Sequence, residues 1–134
     1  MTIRLAGTAD LDWLAAHDRH IGRDELAYSI GRGRVLLAEE GGGRIGWLRY
    51  HLFWDNTPFL NMLYLLEPWR GMGYGSRMMA EWEGQLRKQG YETALLSTPS
   101  DECSQHFYGK LGYRVIGGFL LGQDPYELMM AKQL

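Results

Sequence analysis

Arg70-Gly71-Met72-Gly73-Tyr74-Gly75 sets one arginine ahead of three glycines at alternate positions. That pattern suits anion binding. Glycines let the backbone approach a ligand and free several amide N–H groups, while a helix starting there adds partial positive charge. The chemistry is phosphate recognition, with a glycine-rich turn lacking any ligand as the plain alternative. A dinucleotide fingerprint would need glycine at position 76 or 78, where Ser76 and Met78 stand. A nucleoside-triphosphate loop would need Gly-Lys-Ser/Thr, and no lysine follows these glycines.

A second stretch with chemical content is Asp101-Glu102-Cys103-Ser104-Gln105-His106-Phe107-Tyr108-Gly109-Lys110-Leu111-Gly112-Tyr113. It reads as a short helix closed by Gly112 in a left-handed conformation. Tyr108 in it is a phenol of ordinary pKa about 10, protonated at neutral pH and able to donate. Cys103 and His106 share the spacing of one helix face, but no thiol-hydrolase constellation accompanies them. His17-Asp18-Arg19-His20 puts two histidines three apart without further ligands, so a polar helix end explains it better than a metal.

The turn, Arg-x-x-Gly-x-Gly, resembles the pyrophosphate-binding turn of the GNAT N-acetyltransferases. Tyr108 followed by Leu111-Gly112-Tyr113 is similar to the C-terminal signature of that family, and the resemblance extends over nearly the whole chain. The segment Phe53–Phe59 also looks like a bacterial subgroup of the family. The resemblance implies an α/β (α+β) GNAT fold. This is a mixed, mostly antiparallel sheet of six to seven strands, flanked by about four helices, with a splayed parallel pair at its centre. It implies acetyl-CoA as cosubstrate, a primary amine as acceptor, direct attack in a ternary complex, and homodimers as a common assembly.

Residue by residue, the resemblance assigns pairing with the pantetheine arm to the backbone of Leu63, Tyr64 and Leu65. It gives the pyrophosphate to the amides of Gly71, Gly73, Gly75 and Ser76, with Met72 and Tyr74 in the same turn. Arg70 would supply charge or order the loop, and Tyr108 would be the general acid beside the thioester sulfur. Asp101 stands near the cofactor amide where the family often has asparagine, and lacks the amide donor. The glutamate that the family often carries on the central strand is missing, since Asn61, Met62, Leu63 and Tyr64 are uncharged. A water chain held by Asn61, His51 or Tyr50 is one substitute for it. A non-catalytic acyl-CoA-binding sensor and a different nucleotide-binding module are the rival readings.

These residues need elements to hold them. Phe59–Leu66 is almost wholly apolar, as in a strand buried on both faces. After the turn, Met79, Trp82 and Leu86 recur at helical spacing, with Arg77, Glu81, Glu83, Arg87 and Lys88 on the other faces. Thr93–Thr98 reads as a strand parallel to the first, since a whole helix separates them. Upstream lie a strand at Ile3–Ala6, a helix capped by Thr8 and a helix over Asp24–Arg32. Strands at Val35–Glu39 and Arg44–Phe53 follow, joined by Gly41-Gly42-Gly43, with a loop over Trp54–Pro58. Downstream, Ser100 or Asp101 caps the short helix. Strands Tyr113–Leu121 and Tyr126–Lys132 follow, with a bulge at Gly117-Gly118. Trp47, Tyr50, Phe53 and Trp54 divide between core and a ligand or dimer surface.

With 134 residues, 46% apolar content and a net charge of −2, the chain is expected to form one domain without basic attraction to nucleic acid or anionic membrane. One cysteine excludes an internal disulfide and suits a reducing, cytoplasmic setting. No apolar run approaches the ~20 residues of a membrane span.

Overall fold

The computed structural model describes all residues from Met1 to Leu134. The strands are β1 (Thr2–Leu5), β2 (Val35–Glu40), β3 (Gly43–Phe53), β4 (Thr57–Leu65), β5 (Thr93–Pro99), β6 (Arg114–Phe119) and β7 (Glu127–Gln133). The helices are α1 (Leu11–His17), α2 (Arg23–Gly31), α3 (Tyr74–Lys88) and α4 (Ser104–Lys110), with 3-10 turns at Thr8–Asp10 and Glu67–Trp69. The strands hydrogen-bond in the order β1-β2-β3-β4-β5-β7-β6. Strands β4 and β5 run parallel, pairing Phe59 with Leu95 and Leu60 with Leu96, because the connection between them is a full helix. The β1–β2, β2–β3, β5–β7 and β6–β7 pairs are antiparallel, which makes the mixed sheet expected from the sequence. No helix is long and apolar enough to cross a membrane.

The chain packs as two compact units, the first comprising Met1–His51 with Met62–Trp82. Leu14, Leu26, Ile30, Val35, Leu37 and Trp47 form its core, with Met62 packed against it. The Gly41–Gly42 turn takes the expected positive φ angles of 59° and 80°. Thr8, expected to cap α1, instead begins the 3-10 turn, and Asp10 stands at the N-cap without a side-chain capping bond. The Asp10 carboxylate is drawn elsewhere. It is 2% exposed and accepts from Arg4 at 2.8 and 2.9 Å, Arg44 at 3.0 Å and the Gly7 N–H at 2.8 Å. The Arg4 bonds, helped by Gly7 and Arg44, hold its pKa well below the ordinary carboxylate range against the cost of burial.

The second unit comprises Leu52–Asn61 with Glu83–Leu134. Leu60, Leu86, Ala94, Leu95, Leu96, Tyr113 and Met130 are buried in it. The expected loop after β3 is a tight hairpin turn, made by Trp54 and Asp55 at φ 56° and 64°. Glu83, expected on a solvent face of α3, is buried instead. It accepts from the Tyr113 hydroxyl at 2.9 Å and Lys132 Nζ at 2.7 Å, which is how a charge is tolerated in an apolar helix stripe. Neither Ser100 nor Asp101 caps α4, because the helix starts three residues later, after Cys103. The bulge in β6 is present between Val115 and Gly117. Strand β6 is the sheet's edge and is exposed throughout.

Candidate functional site

In the first unit, β4 ends at Leu65 and a 3-10 turn with Pro68 leads to Arg70 in extended conformation. Gly71 and Gly73 then take φ of 75° and 82°, which an L side chain enters only with strain. The Gly73 carbonyl accepts the first bond of α3, from the Arg77 N–H at 3.2 Å. Tyr74, Gly75 and Ser76 therefore form the first turn of a 15-residue helix, where main-chain N–H groups have no helical acceptor. Met72 lies exposed at the tip. Two left-handed glycines and a helix N-terminus thus come together, with Arg70 immediately before them. The donor set fits a diphosphate.

The turn is braced from behind. The Tyr74 hydroxyl donates to Glu40 at 2.9 Å, and this bond raises the phenol's pKa. The Tyr74 ring stacks beside Trp69 at 6.4 Å, with the Arg77 guanidinium 5.8 Å from it. Arg70 Nε donates to the Leu65 carbonyl at 2.8 Å.

Strand β4 is not buried on both faces as expected: Asn61 and Tyr64 are exposed, and Met62, Leu63 and Leu65 are half-buried. Its main chain approaches β3 with unusual closeness. A Cβ added to Gly46 would stand 2.4 Å from the Tyr64 carbonyl oxygen and 3.2 Å from Leu65 Cα. The Leu66 N–H donates to the Ile45 carbonyl at 2.8 Å. Tyr64 thus turns its carbonyl toward β3, and strand alternation sends the main-chain groups of Leu63 and Leu65 the other way. Gly46 is a residue the sequence reading missed. Its signal was an isolated glycine inside an apolar strand, which marks a close backbone approach.

In the second unit, Tyr108 lies on α4, half-buried between Phe107 at 5.0 Å and Tyr113 at 6.1 Å, both edge-on. No protein group is hydrogen-bonded to its hydroxyl, and burial pushes its pKa up to about 12. The helix closes on Gly112 at φ 99°, with the Tyr113 N–H returning to the Tyr108 carbonyl at 3.1 Å, as the left-handed closure expected there requires. Tyr113, the motif's last aromatic, is pinned by Glu83 and so fixes the ring that packs edge-on against Tyr108. Glu83 falls at the buried spacing of Met79, Trp82 and Leu86, a signal the sequence reading missed. Asp101 is exposed in the turn before α4.

Among the remaining candidates, His17, Asp18, Trp47 and Tyr50 have structural roles. His17 stacks on Trp13 at 4.0 Å, and its Nδ1 lies 2.7 Å from the Trp13 carbonyl. Asp18 is buried, accepting from Arg49 Nε at 2.9 Å and Trp47 Nε1 at 3.1 Å. Cys103 is exposed at the start of α4, and no group of three or more His, Cys, Asp and Glu side chains gathers to hold a metal. Trp47 and Tyr50 are core residues, while Trp54 is 80% exposed. Tyr50 packs on Trp82 at 5.5 Å, and His51 and Asn61 are exposed.

Comparison with known proteins bears on the family and the fold. The family model described as the acetyltransferase (GNAT) family matches residues 6–113. No curated protein matches the sequence. Among solved structures, the paia N-acetyltransferase from Thermoplasma acidophilum, in complex with coenzyme A, is 19% identical with a TM-score of 0.78, covering 99% of this chain and 98% of that one. Ard1 from Thermoplasma volcanium is 16% identical with a TM-score of 0.83, covering 99% and 97%. The ribosomal-protein-S18-alanine N-acetyltransferase from Escherichia coli is 16% identical with a TM-score of 0.81, covering 98% and 92%. At such identities the likeness is one of fold. With the family model spanning most of the sequence, this chain belongs to the GNAT acetyltransferase family and is an acyltransferase.

Proposed function

We propose that the protein moves an acetyl group from acetyl-CoA to a primary amine by direct attack within a ternary complex, as a single N-acetyltransferase domain. The observation that carries this reading is the Arg70–Ser76 turn, where left-handed Gly71 and Gly73 meet the first N–H groups of α3. In this reading the amides of Gly71, Gly73, Gly75 and Ser76 hold the diphosphate of coenzyme A. The outward main-chain groups of Leu63 and the N–H of Leu65, whose carbonyl is held by Arg70, pair with the pantetheine arm. Tyr64, whose carbonyl faces β3, does not pair with the arm.

The thioester is already activated, so the protein's work is alignment and charge control. Holding amine and thioester together supplies up to ~7–11 kcal/mol of effective-molarity advantage. The neutral amine attacks the carbonyl carbon, the C–N bond forms, and the C–S bond breaks. The amine loses one proton and the thiolate gains one, leaving an amide and free thiol. Burial pushes the Tyr108 phenol up to about 12, above the ordinary thiol pKa of about 8.5, so complete transfer of its proton to the sulfur runs uphill. Tyr108 therefore acts mainly as a hydrogen-bond donor to the departing sulfur, releasing its proton only as another arrives.

A second reading, a non-catalytic acyl-CoA sensor, draws on the absence of a carboxylate between Asn61 and Leu65. Free-thiol release across a panel of amines separates the two. We expect release that depends on one amine class, and coenzyme A binding without release under any amine would favour the sensor. We also infer a homodimer. Six of the eleven exposed large apolar residues fall between Val115 and Tyr126, on or beside the open edge strand β6, and a net charge of −2 opposes self-association little.

A further inference from the structure

Arg70 is bedded rather than free. Besides the bond from its Nε to the Leu65 carbonyl, its guanidinium carbon sits 5.0 Å from the centre of the Tyr64 ring. Tyr64 in turn stacks on Trp47, with centroids 4.7 Å apart and planes 28° from parallel. Trp47 is 2% exposed, and its indole N–H is tied to Asp18, which also holds Arg49. Trp13 closes the other side of Trp47 edge-on at 5.8 Å. Each contact fixes the next: the buried carboxylate sets the plane of Trp47, Trp47 sets the plane of Tyr64, and Tyr64 sets the guanidinium.

We propose that Tyr64 is a positioning residue for diphosphate recognition. Its ring and the Leu65 carbonyl together fix the Arg70 guanidinium over the end of β4, leaving the terminal N–H groups to a phosphate oxygen. The inference rests on the reading of residues 70–76 as the diphosphate turn of coenzyme A. An arginine on a free stem surrenders rotamer freedom when it grips an anion, whereas one bedded during folding has already done so. The face of an aromatic ring also attracts the cation directly. The ring is the requirement, and the hydroxyl is not.

Titration of the folded protein with coenzyme A and with pantetheine, which lacks the diphosphate, tests this. Tyr64→Leu is expected to raise the Kd for coenzyme A roughly fivefold, to leave pantetheine unchanged, and to be rescued to within about twofold by Tyr64→Phe. In an Arg70→Ala background the same substitution should add nothing, because the residue it positions is gone. Equal weakening for both ligands, an undiminished effect without Arg70, or no effect at all overturns the proposal. Should Tyr64→Leu not fold, Arg70→Lys serves instead. It keeps the charge but cannot span ring and carbonyl, and unweakened coenzyme A binding by that variant also overturns it. Wild-type protein that does not bind coenzyme A removes the underlying reading and the proposal with it.

Discussion

Tyr108 shows how one residue's surroundings define what it can do. Burial disfavours the phenolate, so the pKa rises from 10 to about 12 and the hydroxyl keeps its proton throughout the neutral and mildly alkaline range. Activity should therefore climb with pH as the acceptor amine deprotonates, without a falling limb from Tyr108 below about pH 11. Tyr108→Phe should lower kcat on the order of 10²-fold while leaving the Kd for coenzyme A within about twofold. Pre-steady-state thiol release and calorimetric titration check the two halves, and an unchanged kcat removes Tyr108 from the chemistry. Arg70 and Tyr108 were legible in the sequence because each sits inside a spaced motif. The partnership of Tyr64 with Arg70 was not, since it depends on a 3-10 turn folding the arginine back over the strand it has just left.

At the level of elements, the turn depends on how closely β4 lies against β3. Gly46 permits that approach, and the atoms nearest its missing Cβ include main-chain atoms that cannot rotate away. Gly46→Ala should cost roughly 1–3 kcal/mol of stability, and should weaken coenzyme A binding more than a surface substitution of equal cost. Urea unfolding with and without coenzyme A measures both. Retention of full affinity would show that the diphosphate turn does not rely on this register. The long helix was readable from its apolar spacing, but Glu83 was misplaced on its solvent side. Spacing alone cannot reveal that Tyr113 and Lys132, 30 and 49 residues away, supply the partners that make its burial tolerable. The same limit applied to Thr8, read as the cap of α1: the helix starts only after Asp10, whose carboxylate is held by Arg4 and Arg44.

For the molecule as a whole, the alternation of a strand, a full helix and a second strand fixed the parallel pair, and the short Gly41–Gly42 turn fixed the antiparallel β2–β3 pair. That much of the architecture follows from local rules. The exposure of β6 does not, because it depends on which strand ends the sheet, and β7 inserts between β5 and β6. A homodimer formed across this edge should appear at twice the 15.4 kDa chain mass in light scattering, and Ile116→Glu should return it to single mass. A single mass for the unsubstituted protein contradicts that assembly.

The grip of the Arg70–Ser76 turn on a diphosphate is most directly tested by following main-chain amide resonances as coenzyme A is added to the ¹⁵N-labelled protein. The largest shifts are expected at Gly71, Gly73, Gly75 and Ser76, with pantetheine leaving those four nearly unmoved. Binding that shifts amides elsewhere while these stay still would contradict the account.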